Sequence, residues 1–266
     1  MINTLKKALH KTLPPNIYRS LYSIYTDCLW YSSKRGIESR NLFRKLYNSH
    51  KGQRCFIIGN GPSLNKMDLS LLRNEITFGL NRIYLLFDKI GFSTTYYVSV
   101  NGLVIKQCAK EIENINSIKF INWNCRRSFC GTGDVYFIND PSGGSKLKFS
   151  RNSIRRTYID STVTYAAMQL AFWFGFHKVI LIGVDHDFST KGENDKEIIS
   201  QGPDPNHFHP EYFGKGFRWQ LPNLDRSEQA YEMAKIEFEK VGREILDATV
   251  EGKLNTFKKV IYDELF

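Results

Sequence analysis

The chain has 266 residues, 42% hydrophobic and 24% charged, ordinary globular usage that excludes a disordered or collagen-like polypeptide. No apolar run approaches the ~20 residues needed to span a bilayer, and residues 1–11 lack the apolar centre of a signal peptide. The formal net charge of +10 is unevenly spread: residues 1–51 hold ten Lys and Arg against Asp27 and Glu38 only.

That first segment, residues 1–51, reads as a basic helical unit, with Leu13, Tyr18, Leu21, Tyr22, Tyr25, Leu29, Trp30 and Tyr31 at partly helical spacing. Such a segment can lie on an anionic membrane surface, which would make the protein peripheral on the inner face. It can equally pack on the main domain with its basic face solvated. No nucleic-acid motif accompanies the charge, so nucleic acid is not an expected partner. The five cysteines are scattered, with no C-x-x-C pair. Neither a disulfide framework nor a cysteine zinc site is expected, and a reducing, cytoplasmic setting fits.

Residues 52–266 read as one α/β domain. The apolar run Cys55-Phe56-Ile57-Ile58 ends in Gly59-Asn60-Gly61-Pro62-Ser63-Leu64, a buried strand followed at once by a glycine-bearing turn. A helical stretch at 69–72 precedes strands at 76–80, 96–100 and 117–123. Asn81 and Asn101 each stand at a strand end. Residues 139–157 are polar and basic, and read as a lid. Asp160-Ser161 opens a helix with Val163, Ala167, Leu170, Ala171 and Phe174 on its buried face and Gly175 as its stop. The run at 179–185, ending in Asp185, is the clearest parallel strand. A second variable stretch covers 186–224. Asp225-Arg226-Ser227-Glu228 reads as a capping box for the last long helix, and 244–249 as the final strand. The predicted fold is α/β and Rossmann-like, a mostly parallel sheet with helices on both faces, plus the N-terminal segment and a variable lid.

Ligands of such sheets sit at the carboxyl ends of the strands, where the glycine turn, Asn81, Asn101 and Asp185 all fall. The two glycines allow backbone amides to approach an anion, although the string is neither G-x-G-x-x-G nor a Walker loop. A plain strand-to-helix turn also explains it. Asn81 and Asn101 are turn formers singly; as a pair flanking one crevice they can read a base edge or ribose. Asp185-His186-Asp187 resembles an acidic metal-holding pair, but bracing of the glycine turn is the preferred role for Asp185. His207 and His209 lie in a loop without zinc-ligand spacing, and a histidine there can serve as general base for an acceptor hydroxyl.

The string Cys55 to Leu64, then Asn81, Asn101, the Thr162 helix and Leu181-Ile182-Gly183-Val184-Asp185, resembles the bacterial sialyltransferases of glycosyltransferase family 42. It is also similar to a broader domain of archaeal 6-hydroxymethylpterin diphosphokinases and flagellin-modifying motility accessory factors. The resemblance spans roughly residues 52–250. It implies a CMP-sugar donor held by Gly59, Asn60, Gly61, Pro62, Ser63, Asn81 and Asn101, with Ser161 and Thr162 contacting the donor. It also implies a histidine base ahead of the last long helix. His209 is the first choice, because Pro210 fixes the chain after it, and His207 the second. The arginine expected before the helix is replaced by Asp160. The phosphate-binding tyrosines are out of register, leaving Tyr212 as the substitute.

The implied activity is inverting transfer of a sialic-acid-type sugar to a surface-glycan acceptor, with no required cofactor and a divalent metal optional. A homo-oligomer is compatible with it. The rival enzyme is a pterin diphosphokinase-like phosphotransferase, which would need carboxylates after the third strand where Val98-Ser99-Val100-Asn101-Gly102 stands. The non-enzymatic rival is a nucleotide-sugar-binding subunit.

Overall fold

The computed structural model describes residues 13–131, 133–140, 147–159 and 162–266. Ser161, Asp160 and residues 1–12 therefore lie outside the described residues.

Eight parallel strands form the central sheet: β1 (Arg54–Ile58), β2 (Thr77–Leu80), β3 (Tyr96–Ser99), β4 (Ile118–Asn122), β5 (Val135–Ile138), β6 (Lys178–Ile182), β9 (Glu244–Asp247) and β10 (Lys258–Lys259). A two-stranded antiparallel ribbon, β7 (Glu197–Ile199) with β8 (Arg218–Gln220), lies apart. The sheet order is β10-β9-β6-β1-β2-β3-β4-β5. The chain runs outward from β1 to β5, then returns to place β6 on the other side of β1. The order thus reverses between β1 and β6, where crevices of open α/β sheets form.

The buried strands β1 and β6 are apolar on both faces, as a sheet covered on both sides requires. Two elements of the sheet were not foreseen. Strand β5 is a four-residue apolar run whose first two residues are half-buried, and β10 is two exposed lysines with no apolar signature.

Of the helices, α1 (Pro15–Ser32) and α2 (Lys34–Leu46) belong to the basic N-terminal segment. They are joined to the core rather than appended to it. Trp30 is fully buried, donates from Nε1 to Ile154 O at 3.0 Å and meets Trp123 edge-on. Phe43 stacks on Phe120 of β4, and Ser39 Oγ accepts the Phe137 amide of β5 at 3.0 Å.

Short helices α3 (Phe87–Ile90), α4 (Gly102–Gln107) and α5 (Ala109–Glu113) follow β2 and β3, and α6 (Val163–Phe174) and α7 (Leu224–Glu239) flank β6. Every residue of α6 is buried, where the sequence pattern marks only one face. The sheet lies on one side of it, and α7, residues 147–159 and the end of α2, through Trp173 against Phe43 and Tyr47, cover it elsewhere. Gln169 of α6 fastens that loop. Its Oε1 accepts the amides of Ser150 and Tyr158, and its Nε2 donates to Tyr158 O. The described part of the expected 139–157 lid is thus tied down, because a buried amide side chain supplies its backbone with partners.

Two helix starts also differ from expectation. Thr162 caps α6, its Oγ1 accepting from the Thr164 amide. Asn223, not Asp225, caps α7 by accepting from the Arg226 amide at 3.0 Å. Glu228, the expected partner in the capping box, bonds His186 instead.

Candidate functional site

The turn after β1 packs directly on the turn after β6. The Gly59 amide donates to Ile182 O at 2.8 Å and the Gly61 amide to Gly183 O at 2.9 Å. A Cβ at Gly59 would stand 2.2 Å from Gly183 O, and one at Gly61 would stand 1.7 Å from Asp185 Oδ2. Both glycines are required by this close approach. Asp185 completes the closure: Oδ1 accepts the Ser63 amide at 3.0 Å, and Oδ2 accepts the Ser63 hydroxyl at 2.7 Å. Burial pushes the Asp185 carboxyl above its ordinary range, with the Ser63 bonds opposing and Asp247 reinforcing the shift.

The consequence for anion binding is specific. The amides of Gly59, Gly61 and Ser63 are all engaged within the protein, and Pro62 has none. Three amides expected in a phosphate cradle are thus spent within the protein, two on the carbonyls of Ile182 and Gly183 and one on the Asp185 carboxylate. Asn60 differs from its neighbours. Its Oδ1 is buried without a hydrogen-bond partner, and it lines the cleft beyond the strand ends.

That cleft has a volume of about 400 Å³, within the range of small-molecule sites. It gathers Gly59, Asn60, Gly61, Asn81, Asn101, Thr162, Asp185, His207 and Tyr212 from the sequence-derived set. Asn81 stands at φ +47°. Its carbonyl accepts from the Tyr97 hydroxyl and its Oδ1 from Ser99 Oγ. Asn101 caps α4, Oδ1 accepting from the Leu103 and Val104 amides. Both side chains thus spend their oxygen on the protein and retain Nδ2 as a donor for the cleft. The start of α6 supplies the remaining polar wall. Thr162 and Thr164 line the cleft beside Tyr231, a residue the sequence pattern assigns only to the core face of α7.

The two loop histidines separate. His207 lines the cleft, and its Nδ1 lies 2.7 Å from Asp204 Oδ2. Its ring stacks on Tyr212, centroids 4.0 Å apart at 10°, with Phe188, Phe213 and Trp219 edge-on around it. Burial would raise the Asp204 carboxyl. The His207 bond and the amides of Asn206 and Phe213 outweigh it and hold the group below its usual range.

His209 is not among the cleft-lining residues. Its Nδ1 accepts the Glu211 amide at 3.1 Å on the exposed side of the loop. Proline fixed the chain after His209, but the aromatic stack decides which ring is held at the cleft. Tyr212 is likewise corrected as a phosphate ligand. It is buried, its hydroxyl accepts from the Arg82 amide, and burial pushes that hydroxyl's pKa well up.

Asp204 went unnoticed in the sequence. The i, i+3 spacing of Asp204 and His207 is the signal that carries it. Of the remaining acids, Asp187 is exposed and ion-paired with Lys253 at 2.6 Å. Among the described residues no group of three His, Cys, Asp or Glu is placed to hold a metal.

A parallel α/β sheet with a polar cleft at the β1/β6 reversal defines a Rossmann-like domain. A sequence-family model described as 6-hydroxymethylpterin diphosphokinase MptE-like matches residues 32–191; the chain belongs to that family. No curated protein matches. Among solved structures, the MAf glycosyltransferase from Magnetospirillum magneticum AMB-1 aligns at a TM-score of 0.53 and 14% identity, over 86% of this chain and 39% of that one. The likeness is one of fold, and this chain spans well under half of that protein's length.

Proposed function

We propose that this chain is a glycosyltransferase that moves a sialic-acid-type sugar from a CMP-linked donor to a glycan acceptor, with inversion. His207 is the general base. The observation that carries the reading is the Asp204–His207 pair at the cleft wall: with Nδ1 held by a buried carboxylate, Nε2 is the nitrogen left to take a proton. In the step, Nε2 accepts the proton of the acceptor hydroxyl as its oxygen bonds the anomeric carbon. The bond from that carbon to the phosphate oxygen breaks, and CMP leaves. Asp204 steadies the imidazolium.

Asn60, Asn81 and Asn101 hold the pyrimidine. The phosphate sits at the N-terminus of α6, where the helix dipole favours an anion and Thr162 and Thr164 line the cleft, rather than in the glycine turn. The family's description keeps a diphosphokinase-like phosphotransferase as the second reading. Against it, Val100-Asn101-Gly102 follows β3 with no carboxylate, and Asp185 is engaged by Ser63. The reading is tested by thermal shift with CMP, UDP, GDP and ATP with magnesium. A ligand at 100 times its dissociation constant adds about 2.7 kcal/mol. CMP should stabilise the protein most; stabilisation by magnesium ATP alone would overturn the reading.

A further inference from the structure

We propose that the outer face of α1 docks this protein on an anionic bilayer surface. Ile17, Leu21, Ile24, Cys28 and Tyr31 follow the i, i+4, i+7, i+11, i+14 spacing that places residues on one side of a helix. All five are exposed; the apolar ones are open to solvent at 50% for Ile17, 50% for Leu21, 61% for Ile24 and 46% for Tyr31. The opposite side of α1 holds the buried Thr26 and Trp30, so the helix is anchored by its back and the stripe faces out. Ordinary exposed apolar residues are scattered singly; these form a continuous row on one helix.

The charge pattern selects the occupant. Residues 1–51 carry ten basic residues against two acidic ones, which an anionic lipid surface complements. A second copy of this chain would bring two such segments together, and like charges across an interface oppose association. Four half-exposed side chains also offer less than the ~800 Å² per partner of a standard protein–protein interface. Tyr22 of α1 donates to Asn124 Oδ1 at 3.2 Å, just after β4.

The full chain, wild type and I17E/L21E/I24E, is sedimented with phosphatidylglycerol–phosphatidylcholine vesicles and with pure phosphatidylcholine vesicles. Light scattering reports oligomeric state, and the melting temperature reports folding. The wild type should bind only the anionic vesicles, with binding falling as salt rises. The triple variant should lose at least ~10-fold in vesicle binding, the loss expected when apolar side chains of this size no longer insert, at an unchanged melting temperature. Wild type that fails to bind anionic vesicles, or a triple variant that binds as well, overturns the proposal. So does a wild-type dimer that the triple variant dissociates without any vesicle binding.

Discussion

Asp185 occupies the space that a side chain at position 61 would fill, its Oδ2 lying where a Gly61 Cβ would come within 1.7 Å. The same carboxylate bonds Ser63 through both oxygens. Gly61 and Ser63 after β1 and Asp185 after β6 thus form one closure between the two strands.

Gly61→Ala should therefore destabilise the protein by about 1–3 kcal/mol, as overpacking does. In an Asp185→Ala background the added methyl meets no carboxylate, so the two losses should fall short of additive. A double-mutant cycle by urea unfolding measures this; strict additivity would mean the two residues do not compete for one space.

The Asp185 carboxyl has a defined pH signature. Its folded pKa lies above the ordinary value of 3.8, so the native state binds the proton more tightly than the unfolded chain. This group's contribution to stability is greatest below the unfolded value and is lost as pH rises through the folded one. Asp185→Asn, which can still accept the Ser63 amide, should flatten that part of the stability profile. Asp185→Ala should leave the Ser63 amide unpaired and cost about 1–3 kcal/mol. Urea midpoints from pH 4 to 7 separate the two variants.

The N-terminal helices carry a different expectation. Trp30 and Phe43 are fully buried in the common core, so Trp30→Ala should cost about 3–5 kcal/mol. Removal of residues 1–51 should leave a chain that does not fold. A folded truncation with native far-UV and near-UV circular dichroism would show that α1 and α2 are accessory.

What the sequence made legible follows from what is local. The run ending at Asp185 announces a doubly covered strand because both of its faces are apolar, and Gly59 to Leu64 announces a turn because glycine and proline restrict the backbone on their own. Strand β10 was illegible because its two lysines are held by the neighbouring β9 backbone and carry no pattern. Asn81 and Asn101 were located correctly at strand ends, while which of their atoms remain for a ligand depends on Ser99 and the amides of α4. The choice between His207 and His209 was set by a tertiary stack on Tyr212 and by a carboxylate whose burial arises only when its loop closes. Proline at 210 acts locally and says nothing of either.

In the proposed reaction Asp204 acts through His207, as a positioning residue. Asp204→Asn should lower kcat while leaving KM for the donor nearly unchanged, since the imidazole loses the carboxylate that orients it. Asp204→Glu should restore part of the rate. An unchanged kcat with a fallen melting temperature would assign Asp204 to loop structure alone.

The most direct measurement is turnover of His207→Ala beside His209→Ala, followed as CMP release from a CMP-linked sialic-acid-type donor in the presence of acceptor. General-base catalysis contributes ~10²–10⁴-fold. His207→Ala should lose that much while CMP still stabilises the protein, and His209→Ala should stay near wild type. Turnover retained in His207→Ala, or lost in His209→Ala alone, would contradict the assignment of the base.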